Sequence, residues 1–243
     1  MWIYAVYQPV ALFSLKPAMA TSSGGKTLLC PTPFALKMAL LDAALRTQGL
    51  AAGERLWPLI RDMRLQIALP SHIVVINTFT KIVRPKKGGS SDDNGSGLLT
   101  PLGNTIAYRE YVNYSGQFAL ALQPVQSKAA PSSIIDLLTQ INYFGKRGGF
   151  VQLMQPPKVY DNDDLPSDQK WVMLTEDQPA FQASGTLQML DDCGSKLSFE
   201  QVNIYSSKRI TLGKDRLLRH IVLPYRLERS SRGFSMYTQI AMP

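Results

Sequence analysis

The 243-residue chain is long enough for one large domain, or two small ones sharing a core, and its 45% hydrophobic and 18% charged residues exclude a mainly disordered polypeptide. Its 26 Lys and Arg against 18 Asp and Glu leave a net charge of +8, which selects a polyanionic partner, either nucleic acid or an acidic protein surface. Two cysteines, Cys30 and Cys193, in no CxxC spacing, exclude a disulfide scaffold and a cysteine zinc centre and point to a reducing compartment.

Residues 2–15 are apolar, and Ala18-Met19-Ala20 mimics a signal-peptidase site. Yet no Lys or Arg precedes the run, Gln8-Pro9 interrupts it and Lys16 follows it, so no leader is predicted. Nothing reaches the roughly 18 unbroken apolar residues of a membrane span, and the expectation is a soluble, cytoplasmic protein without a membrane partner. Within 2–7 both alternating residue sets are apolar, the pattern of a central strand covered on two faces. A polar loop follows over 20–27. Thr32 as cap, Pro33 in the first turn, Phe34, Met38, Leu41 and Leu45 at helical spacing, and Gly49 as terminator predict a helix over 33–48. A second, shorter helix is predicted over 54–62, limited by Pro58.

Strand patterns return over 65–69 and 73–83; strand, helix, strand, strand is how half of a ferredoxin-like fold begins. Residues 85–104 are rich in Gly, Ser, Asp and Pro and predict a loop. Strand-like runs at 81–84 and 105–112 make it the tip of a long hairpin, after which 117–122 returns to the sheet. Ile134, Leu137, Leu138 and Ile141 give 131–144 a helical period, and 150–154 reads as a short strand. Short β-like runs at 171–174, 186–190 and 219–227 complete the chain, with an acidic loop over 161–168 among them.

Gly25-Lys26-Thr27 invites a phosphate-loop reading, but Ala20 stands where that motif needs glycine, and Pro31 and Pro33 deny it the helix that should start there. The segment is either an RNA-backbone contact through Ser22, Ser23 and Lys26 or a solvated turn. The acidic loop has the charge of a calcium site, but Leu165 and Pro166 take the places of a ligand and a turning glycine, so no metal or other cofactor is predicted. His72 and His220, the two histidines, lack the converging base, cation and acid that metal-independent cleavage of RNA requires.

The basic pattern says more. Lys81, Arg84, Lys86 and Lys87 load one hairpin arm, and Arg109 on the other is flanked by Tyr108 and Tyr111. Cations beside rings suit single-stranded nucleic acid, although lysines also protect solvated edge strands. Residues 205–232 then hold Lys208, Arg209, Lys214, Arg216, Arg219, Arg226, Arg229 and Arg232 against Asp215 and Glu228, a polyanion-facing composition.

Four features in this order resemble the fifth CRISPR-associated protein family, the RAMP-type subunit of type I Cascade complexes that caps the 5′ end of the guide RNA. They are the apolar N-terminal strand, the helix entry Pro31-Thr32-Pro33-Phe34-Ala35-Leu36-Lys37-Met38, the segment Tyr108-Arg109-Glu110-Tyr111-Val112 closing a long insertion, and Tyr143-Phe144-Gly145-Lys146-Arg147. The resemblance implies an α+β fold, with a ferredoxin-like (RRM-like) RAMP domain over 1–155, an inserted β-hairpin thumb at about 82–112, and a smaller β-rich C-terminal portion over 156–243 packed on it. It implies a grip on the 5′ handle of the crRNA, with the backbone RAMP subunit and the large subunit of Cascade as partners and target DNA reached through the complex. Arg109 becomes a thumb contact, and the Ser22–Lys26 loop and the Lys146-Arg147 turn further RNA contacts. With the basic positions read above, the candidate RNA-binding set is Ser22, Ser23, Lys26, Lys81, Arg84, Lys86, Arg109, Tyr111, Lys146, Arg147, Arg229 and Arg232. One departure is that the family's glycine-rich loop near the chain end is reduced here to Arg232-Gly233-Phe234. One branch of the family cuts precursor RNA; its catalytic positions find no match, so the chain reads as a non-catalytic binder. The alternatives are a metal-independent endoribonuclease acting on repeat RNA through His220 or His72, and a scaffold docking an acidic protein.

Overall fold

Trp2–Pro9, the first strand (β1), has Trp2 through Tyr7 all buried, as its two apolar alternating sets require. In the computed structural model, which describes residues 1–20, 25–85, 102–125, 131–161, 165–177 and 184–241, it is a central strand of the first of three antiparallel sheets. Helix α1 spans Pro33–Gln48 and α2 spans Leu50–Arg61. Strands β2 (Arg64–Ala68), β3 (His72–Pro85), β4 (Leu102–Tyr114) and β5 (Phe118–Gln123) follow, then α3 (Pro131–Thr139) and β6 (Val151–Leu153). The first sheet has the order β6-β1-β5-β2, extended by β7 (Lys158–Tyr160) on β1 and β8 (Trp171–Met173) on β2. Ile3, Ala5 and Tyr7 face the main core under α1 and α3, while Tyr4 and Val6 pack with Ala68, Ala119, Tyr160 and Trp171 on the other face.

The Thr32 hydroxyl caps α1 by accepting the Ala35 N–H at 3.2 Å, and Gly49, at φ 83, closes it. The burial is broader than the stripe of Phe34, Met38, Leu41 and Leu45 suggested. Leu36, Lys37, Leu40, Ala43 and Ala44 are the most enclosed residues, because α2, α3 and a later strand all pack on this helix. The helix after Gly49 begins at Leu50 rather than 54 and runs through Pro58. Pro58 sits on the exposed side, over the exposed Glu54, where the carbonyl it leaves unbonded meets water. In α3, Ile134, Leu137 and Leu138 are buried as their spacing predicts.

The hairpin is present: β3 and β4 pair from Ile73–Tyr114 out to Pro85–Leu102. Most of the loop predicted over 85–104 lies outside the described residues. Residues after 155 supply strands to every sheet. Besides β7 and β8, β9 (Thr186–Cys193) and β10 (Arg216–Leu223) form a two-stranded ribbon, with the short helix α4 (Phe199–Val202) between them. Strands β11 (Tyr225–Ser230) and β12 (Phe234–Gln239) add onto β3, giving the sheet β11-β12-β3-β4. The run at 219–227 is therefore two strands in two different sheets, parted at Pro224, which has no N–H to give a ladder.

Candidate nucleic-acid interface

The outer edge of β4 is held by two passing segments. Phe13 exchanges backbone hydrogen bonds with Val112 at 2.7 and 3.2 Å, and the Glu110 N–H donates to the Gly25 carbonyl at 2.7 Å. The Glu110 carboxylate answers by accepting from Lys26 Nζ at 2.6 Å and from the Thr27 N–H at 2.8 Å. Gly25 is required by contact: a Cβ there would lie 2.1 Å from the Tyr108 carbonyl oxygen. Gly25-Lys26-Thr27 is thus a clamp on a carboxylate. That hydrogen bond, and then the carboxylate's charge, hold the Lys26 ammonium above its ordinary pKa, so it stays a cation with most of its side chain in solvent.

This clamp walls one side of an open cleft of about 550 Å³. Lys26 and Arg232 line it together with the rings of Phe79 and Tyr108, and Arg109 borders it, its side chain turned by strand alternation to the opposite face of the sheet. The rings meet edge to face with centroids 5.1 Å apart and are 53% and 69% exposed, which on a lone folded chain leaves two aromatic surfaces without apolar cover. Asn77 fixes the far wall: its N–H donates to the Gly233 carbonyl at 2.8 Å and its side-chain amide to the Arg232 carbonyl at 3.1 Å. Lys26 is balanced by Glu110 and Arg232 takes part in no ion pair among the described residues, so the cleft carries net positive charge with open rings.

The other sequence-predicted residues fall in several places. Lys81 is exposed further out on the hairpin, on the same strand face as Phe79. Tyr111 and Arg229 lie on the opposite face of the four-stranded sheet. Lys146 lines a separate cavity of about 260 Å³ with Lys16, Phe34 and Arg216, and Arg147 a third depression beside Asp42 and Arg46. Arg84 is within β3, and Ser22, Ser23 and Lys86 lie outside the described residues. Phe79, Asn77 and the Glu110 counter-charge are cleft residues that sequence reasoning missed; an unbalanced Phe amid the threonines of 78–80 was the available signal.

The C-terminal basic cluster is partly neutralised within the protein. Arg216 binds Asp191 through two nitrogens at 2.5 and 2.6 Å and lies 4.1 Å from the Phe34 ring centroid, Arg219 pairs with Asp177 at 3.1 Å, and Lys208 pairs with Glu200. Arg226, Arg229 and Arg232 take part in no ion pair among the described residues. Deeper in, Lys37 Nζ meets Asp192 Oδ1 at 2.6 Å with both side chains buried. His72 shares a 3.0 Å contact with Ser71 Oγ at the start of β3, His220 is exposed on β10, and neither lines the cleft. Among the described residues no group of three His, Cys, Asp or Glu is placed to hold a metal ion, and no helix is long and apolar enough to cross a membrane.

No protein-family model matches the chain. A curated protein from Archaeoglobus fulgidus (strain ATCC 49558 / DSM 4304 / JCM 9628 / NBRC 100126 / VC-16), described as CRISPR-associated protein Cas5, is 23% identical over 214 residues, spanning 85% of this chain and 86% of the relative. The fold is shared with a chain of a structure described as a CRISPR RNA-guided surveillance complex, at TM-score 0.51 and 14% identity over 99% of this chain and 91% of that one. A crystal structure of a CRISPR protein from Archaeoglobus fulgidus superposes at TM-score 0.43, with 12% identity over 99% and 93% of the two chains. The chain is thus similar to a CRISPR-associated Cas5 protein through most of both sequences, and it shares its α+β architecture with a chain of the surveillance complex.

Proposed function

We propose that this chain is a non-catalytic subunit of a CRISPR Cascade effector complex, in which it binds the 5′ handle of the guide RNA and caps the backbone filament. The observation that carries the reading is the cleft at the hairpin, where Lys26 and Arg232 stand beside the open rings of Phe79 and Tyr108 and Arg109 lies at the border. Guanidinium groups neutralise phosphates while rings accept unstacked bases, the combination that single-stranded RNA selects. The first sheet's order β6-β1-β5-β2, antiparallel throughout with α1 and α3 as its crossovers, supports a ferredoxin-like domain, and the β3–β4 hairpin inserted between β2 and β5 supports a thumb. Partners in this reading are the backbone and large subunits, in the cytoplasm, and target DNA is recognised by pairing with the guide while this chain sets position and register.

The test is binding of a guide RNA with its repeat-derived 5′ end, measured against salt. Replacing Arg109 and Arg232 by Ala removes two phosphate partners, so affinity falls and the slope of log affinity against log salt shrinks by roughly 1.4. Unchanged affinity and slope contradict the reading. In the same preparation, labelled repeat RNA stays intact without metal; cleavage would restore the endoribonuclease alternative.

A further inference from the structure

The sheet β11-β12-β3-β4 has two faces of different character. One delivers Ile73, Val75, Val112, Tyr114 and Tyr237 to the main core. Strand alternation turns the intervening residues the other way, and there Val74, Ile76, Tyr111, Phe234 and Met236 are only half-buried. The register sets Phe234 opposite Ile76 and Ile76 opposite Tyr111 in one row across three strands. Two rings therefore flank an aliphatic side chain at a separation of two strand spacings, about 9.5 Å between backbones.

The charge around that row has one dominant sign. Arg229 stands opposite Met236 and Arg226 opposite Thr238, both exposed, and Arg109 lies two residues before Tyr111 on the same strand face while also bordering the cleft. None of the three takes part in an ion pair among the described residues. The carboxylate that approaches this face is Glu228, which accepts a hydrogen bond from the Thr238 hydroxyl. A protein partner fitted to an aliphatic face would need neither two separated rings nor unpaired guanidinium groups beside them. Bases flanked by phosphates use both.

Resting on the guide-RNA reading above, we propose that this open sheet face is a second RNA site, a stacking platform in addition to the cleft. One base of a single-stranded segment lies on Tyr111 and another on Phe234, with Arg229 and Arg109 holding the adjoining phosphates. The site takes unpaired nucleotides of any base, since every base offers a π-face.

The experiment uses the full chain and a labelled oligouridylate of about 10 nucleotides, within the usual span of such sites. Tyr111→Ala and Phe234→Ala each weaken binding roughly 5- to 100-fold, with the salt slope unchanged because no phosphate contact is lost. Phe234→Tyr, which keeps a ring, binds as the native chain does, and separates stacking from a loss of fold. If the native chain binds and both alanine variants bind equally well, as they would were this a protein-docking face, the platform is wrong and the cleft reading stands. A loss that Phe234→Tyr shares also overturns it. If the native chain binds no RNA, the reading beneath it fails too.

Discussion

Lys37 shows how a charge is carried inside this protein. It sits on the buried side of α1 between Leu36 and Leu40 and reaches Asp192 on β9, whose other oxygen lies 3.8 Å from Arg219. Burial pushes the Asp192 carboxyl above its ordinary value, and the Lys37 charge, its hydrogen bond and the Cys193 N–H oppose that push. Removing one partner strands the other, so Lys37→Ala destabilises the fold by about 3–5 kcal/mol. Urea unfolding of the two proteins measures this directly, and equal midpoints would mean that the pair is dispensable. Sequence pattern alone did not place this pair: Lys37 falls outside the stripe of Phe34, Met38, Leu41 and Leu45, and Asp191-Asp192 directly follow the β-like run at 186–190. The cysteines are simpler. Burial pushes the Cys30 and Cys193 thiols up to about 12, so both remain protonated and unreactive at neutral pH.

At the scale of elements, the clamp between residues 25–27 and β4 sets the geometry of the cleft. A Cβ at Gly25 strikes the Tyr108 carbonyl, so Gly25→Ala drives the segment off the β4 edge and moves Lys26 away from Glu110. RNA affinity is expected to drop several-fold while the melting temperature changes little, because these contacts lie at a sheet edge away from the core. Unaltered affinity in a soluble Gly25→Ala protein would show that the clamp does not shape the binding surface. Helix α1, helix α3 and the β3–β4 hairpin were legible in the residues, since each carries a strong period and clear punctuation. Strand β12 was not: Phe234, Met236, Ser235 and Tyr237 alternate between a core face and an open one, so apolar residues stand on both and no half-buried period survives. The early start of α2 was hidden for another reason. Gly49, at φ 83 and ψ 177, ends one helix and begins the next in a conformation that glycine adopts almost alone.

Over the whole molecule, the +8 net charge announced a polyanion but not its location. The fold divides the cations into two groups. Lys37, Arg216 and Arg219 are spent on carboxylates in or near the β9–β10 ribbon, whereas Arg109, Arg226, Arg229 and Arg232 remain open around the four-stranded sheet. Lys26, Arg109 and Arg232 are far apart in sequence and come to line one cleft because β12 and the 25–27 segment approach the hairpin from opposite edges. Such convergence leaves no mark in a linear pattern. The most direct measurement is photo-crosslinking of the full chain to a guide RNA bearing 4-thiouridine through its 5′ handle, followed by mapping of the linked peptides. Binding of RNA at the hairpin and its sheet places the links within residues 25–27, 72–85, 102–114 and 226–239; links confined to α2 or the β9–β10 ribbon, or none at all, would contradict it.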